Sequence, residues 1–164
     1  MLEPHVDKSM PTLFVAECVL VYLQPDRCFQ LLQTFVENFQ LASTLIYEQC
    51  NISSGNGEHD FGVVMLRQLT SVGINLLGAD ACKSLENQCN RLKTAGFANC
   101  HAIDIYTLYC QHLNTNGERE RIERLEMLDE GHLLKQLLSH YCIAIGQPAG
   151  SPNVDYNESF QKPI

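Results

Sequence analysis

Glu17 is the residue on which any chemistry in this sequence turns. It is the one charge inside the run PTLFVAECVLVYL at 11–23, where apolar side chains otherwise follow one another almost without a break. Burying an unpaired carboxylate costs several kcal/mol. The glutamate is therefore expected to mark the point where the strand ends and its carboxyl edge opens, the place where open α/β sheets hold their ligands. A carboxylate there can pair with a cationic group; from residue type alone, a solvated or capping role stands beside that one. The next residue, Cys18, becomes a nucleophile only with a basic neighbour to lower its pKa. Nothing close in sequence offers one, so a structural thiol is expected.

Other constellations carry less. The histidines at 101, 112, 132 and 140 never show the i, i+4 spacing of a helical metal pair, and no acidic set supplies a third ligand, so no metal site is expected. There is no Gly-x-Ser-x-Gly elbow of the kind that holds an α/β-hydrolase nucleophile. Gly55, Gly57 and Gly62 miss the dinucleotide spacing, and segment 51–60 is acidic at Glu58 and Asp60, so it reads as a surface loop and not a phosphate cradle. Arg119, Arg121 and Arg124 alternate with glutamates at 118–126. Their spacing favours pairs within a helix and a solvated face; the sharper alternative is that one of them orients an acidic peptide.

The elements that must position Glu17 follow from periodicity. Residues 11–23 read as a strand buried on both faces, as in a parallel sheet. Pro25 fits the first position of a helix over 25–40, with Cys28, Phe29, Leu32, Phe35, Val36 and Phe39 on its inner face. A second strand at 44–48 completes a βαβ unit and implies parallel pairing with a right-handed crossover. Beyond the loop at 51–60, a helix over 61–72 is expected to bury Phe61, Val64, Met65 and Leu69 and to stop at Gly73. Ser84 caps a helix that ends at Gly96, 97–103 is a weak strand, and Asp104 caps a short helix. A turn at 114–117 leads to the charged helix. Asp129 is expected to cap a helix burying Leu133, Leu134, Leu137 and Leu138, before a last strand at 141–145. The result is an α/β sheet without internal repeats.

The totals are those of one soluble domain: 164 residues, 45% hydrophobic and 18% charged. A net charge of −8 disfavours a general nucleic-acid binder. No apolar run is long enough for a membrane span, and the first ten residues lack a signal-peptide pattern. Seven of the eight cysteines fall in apolar, strand-like or helix-like segments with no Cys-x-x-Cys pair, which points to reduced thiols and a cytoplasmic location.

Four segments carry a resemblance: PTLFVAECVLVYLQP at 11–25, YEQ at 47–49, CKSLENQ at 82–88 and RIERLEMLDE at 121–130. Together they resemble the leucine carboxyl methyltransferases, which transfer a methyl group from S-adenosylmethionine to the carboxy-terminal leucine of the protein phosphatase 2A catalytic subunit. The resemblance implies an α/β chain that is the carboxy-terminal part of a class I S-adenosylmethionine-dependent methyltransferase (Rossmann-like) sheet, with the first strands missing. The polar, patternless segment 1–10 reads as a connector and 148–164, low in apolar content, as a flexible tail, and the resemblance makes 11–147 a partial methyltransferase domain. Glu17 would contact the cofactor by holding the methionine ammonium, and Tyr22 would be the wall that orients the acceptor. The phosphatase catalytic subunit is the implied partner, with no nucleic acid, membrane or metal involved.

Class I enzymes build most of the cofactor site on their first three strands, with a glycine-rich loop and an acidic ribose partner that the matched segments do not include. The family's carboxylate-orienting arginine also belongs to that portion. An incomplete, weakly active or inactive form is therefore expected. A noncatalytic phosphatase-interaction module is the alternative. A relative of the tRNA wybutosine-synthesis methyltransferases is a third reading, disfavoured because the tail shows no kelch-like repeat.

Overall fold

The computed structural model describes residues 6–52, 61–111, 117–127 and 129–149. In chain order they form β1 (Thr12–Glu17), a 3-10 turn (Leu20–Tyr22), α1 (Pro25–Asn38), β2 (Ala42–Gln49), α2 (Phe61–Ser71) and a second 3-10 turn (Ala79–Cys82). There follow α3 (Leu85–Ala95), β3 (Asn99–Asp104), α4 (Ile105–Gln111), α5 (Glu118–Glu123), α6 (Gly131–Leu138) and β4 (Tyr141–Gln147). The strands make one four-stranded mixed sheet in the order β1-β2-β4-β3. β1 and β2 run parallel, from Thr12 opposite Ala42 to Glu17 opposite Tyr47, as the βαβ pattern implied. β4 lies antiparallel between β2 and β3. Its period-two pattern, with Cys142, Ala144 and Gly146 buried, is the same whichever way a strand runs, so the sequence could not reveal that reversal.

The local signals act where the sequence places them. Pro25 opens α1, and the buried Cys28 and Leu32 of its inner face pack with Phe29, Phe35 and Val36 into the main core. In α3 the Ser84 hydroxyl accepts the Asn87 N–H at 3.1 Å, and Gly96 ends the helix at φ 108°, a left-handed conformation that favours glycine. The Asp104 carboxylate accepts the Thr107 N–H at 2.8 Å at the start of α4. Gly73, at φ 84°, closes the turn after α2. The main core is the layer between α1, α3 and the sheet, with Leu32, Ile46, Leu92, Phe97 and Ala144 at its centre. A smaller cluster joins Val21, Ile52 and Cys82 to Met65 and Leu66 of α2.

Four expectations are corrected. β1 is not buried on both faces. Thr12, Phe14 and Ala16 turn toward α1, where Phe14 stacks on Phe35 with ring centroids 3.6 Å apart, while Leu13 and Val15 remain 59% and 66% exposed. The reason is covering: α1 packs on the side of Phe14 and Ala16, and the side of Leu13 and Val15 stays open. At α6, Glu130 and not Asp129 occupies the capping position, without a side-chain bond. Leu133 and Leu137 stay exposed while Leu134 and Leu138 are half-buried, because four leucines at that spacing make two adjacent rows and a shallow helix seats one of them. In α2 only Gly62 is fully buried; Phe61, Val64, Met65 and Leu69 are half-buried. The loop at 53–60, the turn at 114–116 and the tail from 150 lie outside the described residues.

Candidate functional site

Glu17 is the last residue of β1, and its side chain is exposed. In the parallel ladder it faces Tyr47, so carboxylate and phenol share one side of the sheet. Tyr47 in turn stacks on Tyr141, with centroids 5.5 Å apart and planes 14° from parallel. The carboxyl edge of β1 and β2 thus carries an acid followed by two aromatic rings. Burial raises the Tyr47 pKa, with smaller contributions from Cys18, Tyr141 and Glu17, and keeps the phenol neutral. Such a surface can hold a cation by charge and by ring face.

Directly after Glu17 the backbone turns through Cys18 at φ 48°, which is uncommon for a residue with a side chain, and the Cys18 N–H donates to the Tyr47 carbonyl at 2.8 Å. Burial pushes the Cys18 thiol up, and the carboxylates of Glu48 and Glu17 push it further. This thiol is held protonated, which agrees with the structural role expected for it. The 3-10 turn then buries Leu20 and Val21 and leaves Tyr22, at its end, 49% exposed. Glu17 and Tyr22 thus close two successive elements, a strand and a turn.

One group of polar residues was not anticipated. Glu48, the neighbour of Tyr47 in β2, points to the opposite side of the sheet and is 0% exposed. Its Oε2 accepts the Val21 N–H at 3.0 Å and lies 3.8 Å from Nη1 of Arg91, itself almost fully buried. Arg91 donates to the Gln88 side-chain oxygen, and the Gln88 amide donates to the Gln49 carbonyl at 2.8 Å. Desolvation raises the Glu48 pKa, and Arg91 and the N–H groups of Val21 and Leu20 offset it only in part. Glu48 Oε1 and Arg91 Nε and Nη1 have no hydrogen-bond partner among the described residues. The available signal was parity: Thr44, Ile46 and Glu48 lie on one side of β2, and the first two are core residues. Above this cluster opens a cleft of about 450 Å³, walled by Leu20, Phe29, Asn87, Asn90 and Arg91.

The charged helix behaves as its spacing predicts. Arg119 pairs with Glu123 at 2.8 Å and Arg121 with Glu118 at 2.7 Å, all four partly or fully exposed. Arg124 is exposed at the helix end. Among the described residues no group of three or more His, Cys, Asp or Glu side chains could hold a metal ion, and no helix is long and apolar enough to cross a membrane. All eight cysteines are free. His112 lies outside the described residues.

No family model matches the chain. Individual proteins do. Leucine carboxyl methyltransferase 1 of Bos taurus is 38% identical over 147 residues, which is 90% of this chain and 42% of that protein. Its counterpart in Caenorhabditis elegans is 39% identical over 139 residues, 85% of this chain and 40% of that protein. The chain belongs to the leucine carboxyl methyltransferase family. It spans about two fifths of the length of these relatives. The tRNA wybutosine-synthesizing protein 4 of Rattus norvegicus is 35% identical over 138 residues, 84% of this chain but 19% of that much longer protein. The leucine carboxyl methyltransferases match at similar identity and over a larger share of their own length.

Proposed function

We propose that this chain carries part of the site of an S-adenosylmethionine-dependent methyltransferase acting on the carboxy-terminal leucine carboxylate of the protein phosphatase 2A catalytic subunit. In isolation it is weakly active or inactive. The observation that carries the proposal is the family match together with Glu17, an exposed carboxylate at the carboxyl end of a parallel strand beside Tyr47. That arrangement fits the donor: Glu17 can pair with its methionine ammonium, and the stacked tyrosines present ring faces to a cation. When bound, S-adenosylmethionine supplies an activated methyl group on a sulfonium.

What the chain's own residues must add is orientation. An α-carboxyl group with a pKa of about 3.3–3.7 is already ionised at neutral pH, so neither Glu17 nor Tyr22 has to act as a base. Glu17 anchors the donor and Tyr22 forms the wall against which the acceptor is aligned, the reacting groups being held close and water kept out. Free thiols fit a reducing, cytoplasmic setting.

In this proposal the four strands are the carboxy-terminal part of a class I sheet, and β1 is its fourth strand. The open face of Leu13 and Val15 fits it, because an uninterrupted apolar run suits a strand of a parallel sheet covered on both faces. The rest of the cofactor site then lies on strands that pair along the outer edge of β1.

Titration calorimetry of the chain with S-adenosylmethionine tests this directly. Binding far weaker than low-micromolar, or none, is expected; low-micromolar binding would show a complete site and overturn the proposal. A second reading is a noncatalytic module that grips the phosphatase. Retention of the phosphatase catalytic subunit by a chain that does not methylate it supports this reading, and failure to retain the subunit removes it.

A further inference from the structure

We propose that Glu48 is a positioning residue: its buried carboxylate grips the 3-10 turn Leu20–Tyr22 through the Val21 N–H and so fixes the segment that runs from Glu17 to Tyr22. The side chains of Leu20 and Val21 pack in the two core clusters, and the backbone of the segment is bonded from outside at few points. At its start the Cys18 N–H donates to the Tyr47 carbonyl at 2.8 Å, with Cys18 in a left-handed conformation. At its middle the Val21 N–H meets Glu48 at 3.0 Å, and the Val21 carbonyl accepts the Gly78 N–H at 2.8 Å. Gly78 must be glycine for that approach, since an added Cβ would stand 2.9 Å from the Leu20 carbonyl oxygen. Both polar groups of the Val21 backbone are therefore clamped from outside the turn, one by a charge and one by a neighbouring loop.

A charged acceptor makes the stronger bond to a backbone N–H, and this one cannot relax into solvent, being 0% exposed. Its own place is set from several sides. Arg91 of α3 stands 3.8 Å away, and Cys142 of β4 faces it across the ladder. The thiols of Cys28 on α1, Cys82 on the second 3-10 turn and Cys18 on the strand–turn link all feel its charge. Arg91 is the one cation in that set. The ionised Glu48 is thus engaged by the turn and by Arg91, and its grip on the backbone between Glu17 and Tyr22 is the route by which it reaches a ligand at Glu17.

The functional meaning of this role rests on the methyltransferase proposal, whereas the geometric claim does not. Nuclear magnetic resonance of the labelled full chain tests the latter. The Val21 amide proton is expected to shift as pH carries Glu48 through its ionisation, and the shift is expected to vanish in Glu48→Gln. In Glu48→Ala, amide order parameters at residues 18–23 are expected to fall while those of Ile46 and Ala144 hold. A Val21 amide that ignores pH, or follows it equally in Glu48→Gln, overturns the proposal; so does a Glu48→Ala chain that keeps full order at 18–23. If Glu48→Ala does not fold, the titration of the unaltered chain against Glu48→Gln decides alone. Binding of S-adenosylmethionine enters none of these readouts, so its presence or absence judges the functional proposal separately.

Discussion

Two neighbouring parallel strands each end near a glutamate, and the fold treats the two carboxylates in opposite ways. Glu17 closes β1 on the uncovered side of the sheet and is exposed. Glu48, one residue from the end of β2, turns to the covered side and is 0% exposed. The first stays hydrated and open to a ligand. The second loses its hydration, at an effective cost of several kcal/mol per ion, recovered in part from Arg91 and the Val21 N–H. Proximity to a strand end therefore does not by itself make a carboxylate a binding group. Parity on the pleat decides: the odd residues of β1 face outward, and so does Tyr47, while Glu48 falls on the core side with Ile46.

The largest effect should come from breaking the buried pair on one side. Arg91→Leu leaves Glu48 without its cation and is expected to destabilise the chain by about 3–5 kcal/mol, read as a lower urea midpoint at unchanged slope. The double variant Glu48→Leu with Arg91→Leu removes both desolvated charges and should cost less than Arg91→Leu alone, although Val21 then loses its acceptor. A double variant less stable than the single one would mean that the pair itself, and not its unpaired remnant, dominates. A smaller effect is expected one step back, at the residue that starts α3 and so sets the reach of Arg91. Ser84→Ala removes the acceptor of the Asn87 N–H and should cost about 0.5–2 kcal/mol in the same measurement.

Smaller again is the pH signature of Glu48. Its folded-state pKa is raised above the ordinary 4.5, chiefly by desolvation. The folded chain therefore binds more protons than the unfolded one between those two values. The stability this group contributes is full below about 4.5 and is lost as pH rises through the raised value. Glu118 and Glu123 act in the opposite sense, since hydrogen bonds from Arg121 and Arg119 hold their pKa values down and their contribution disappears as pH falls. Thermal melts across pH should show the decline on the upper side, and Glu48→Gln should flatten that limb while leaving the acid limb in place. An unchanged upper limb in Glu48→Gln would assign the decline to another group.

The element order, the Ser84 and Asp104 caps, the Gly73 and Gly96 stops and the parallel β1–β2 pair were legible in the sequence because each is a local signal. A hydroxyl three residues before an N–H, or a glycine after a periodic run, needs no knowledge of the rest of the chain. The reversal of β4, the open side of β1 and the exposure of Leu133 and Leu137 were not legible, because each depends on which neighbour an element finds. A run of Leu, Phe and Val reads alike whether one side or both are covered. Glu17 stood out as the one charge in an apolar run. Glu48 was read as the end of the strand at 44–48 and as part of the YEQ segment, with no role of its own, and its burial appears only when α3 brings Arg91 over it.

The smallest effect on stability is expected at Glu17, and it is the most informative about function. Glu17→Gln alters an exposed side chain and should change the unfolding free energy by less than about 0.5 kcal/mol. If the exposed carboxylate is the binding group, the same change should remove whatever weak, millimolar response to S-adenosylmethionine the chain shows in amide shifts at residues 16–22. Tyr47→Phe, which keeps the ring face beside Glu17, should retain that response, and Tyr47→Leu should reduce it. Glu48→Gln, by contrast, should alter the starting positions of those amides before any ligand is added. A Glu17→Gln chain that responds to the donor as the unaltered chain does would remove Glu17 from the binding role. The functional contrast between the two carboxylates would then fail even if their difference in burial stands.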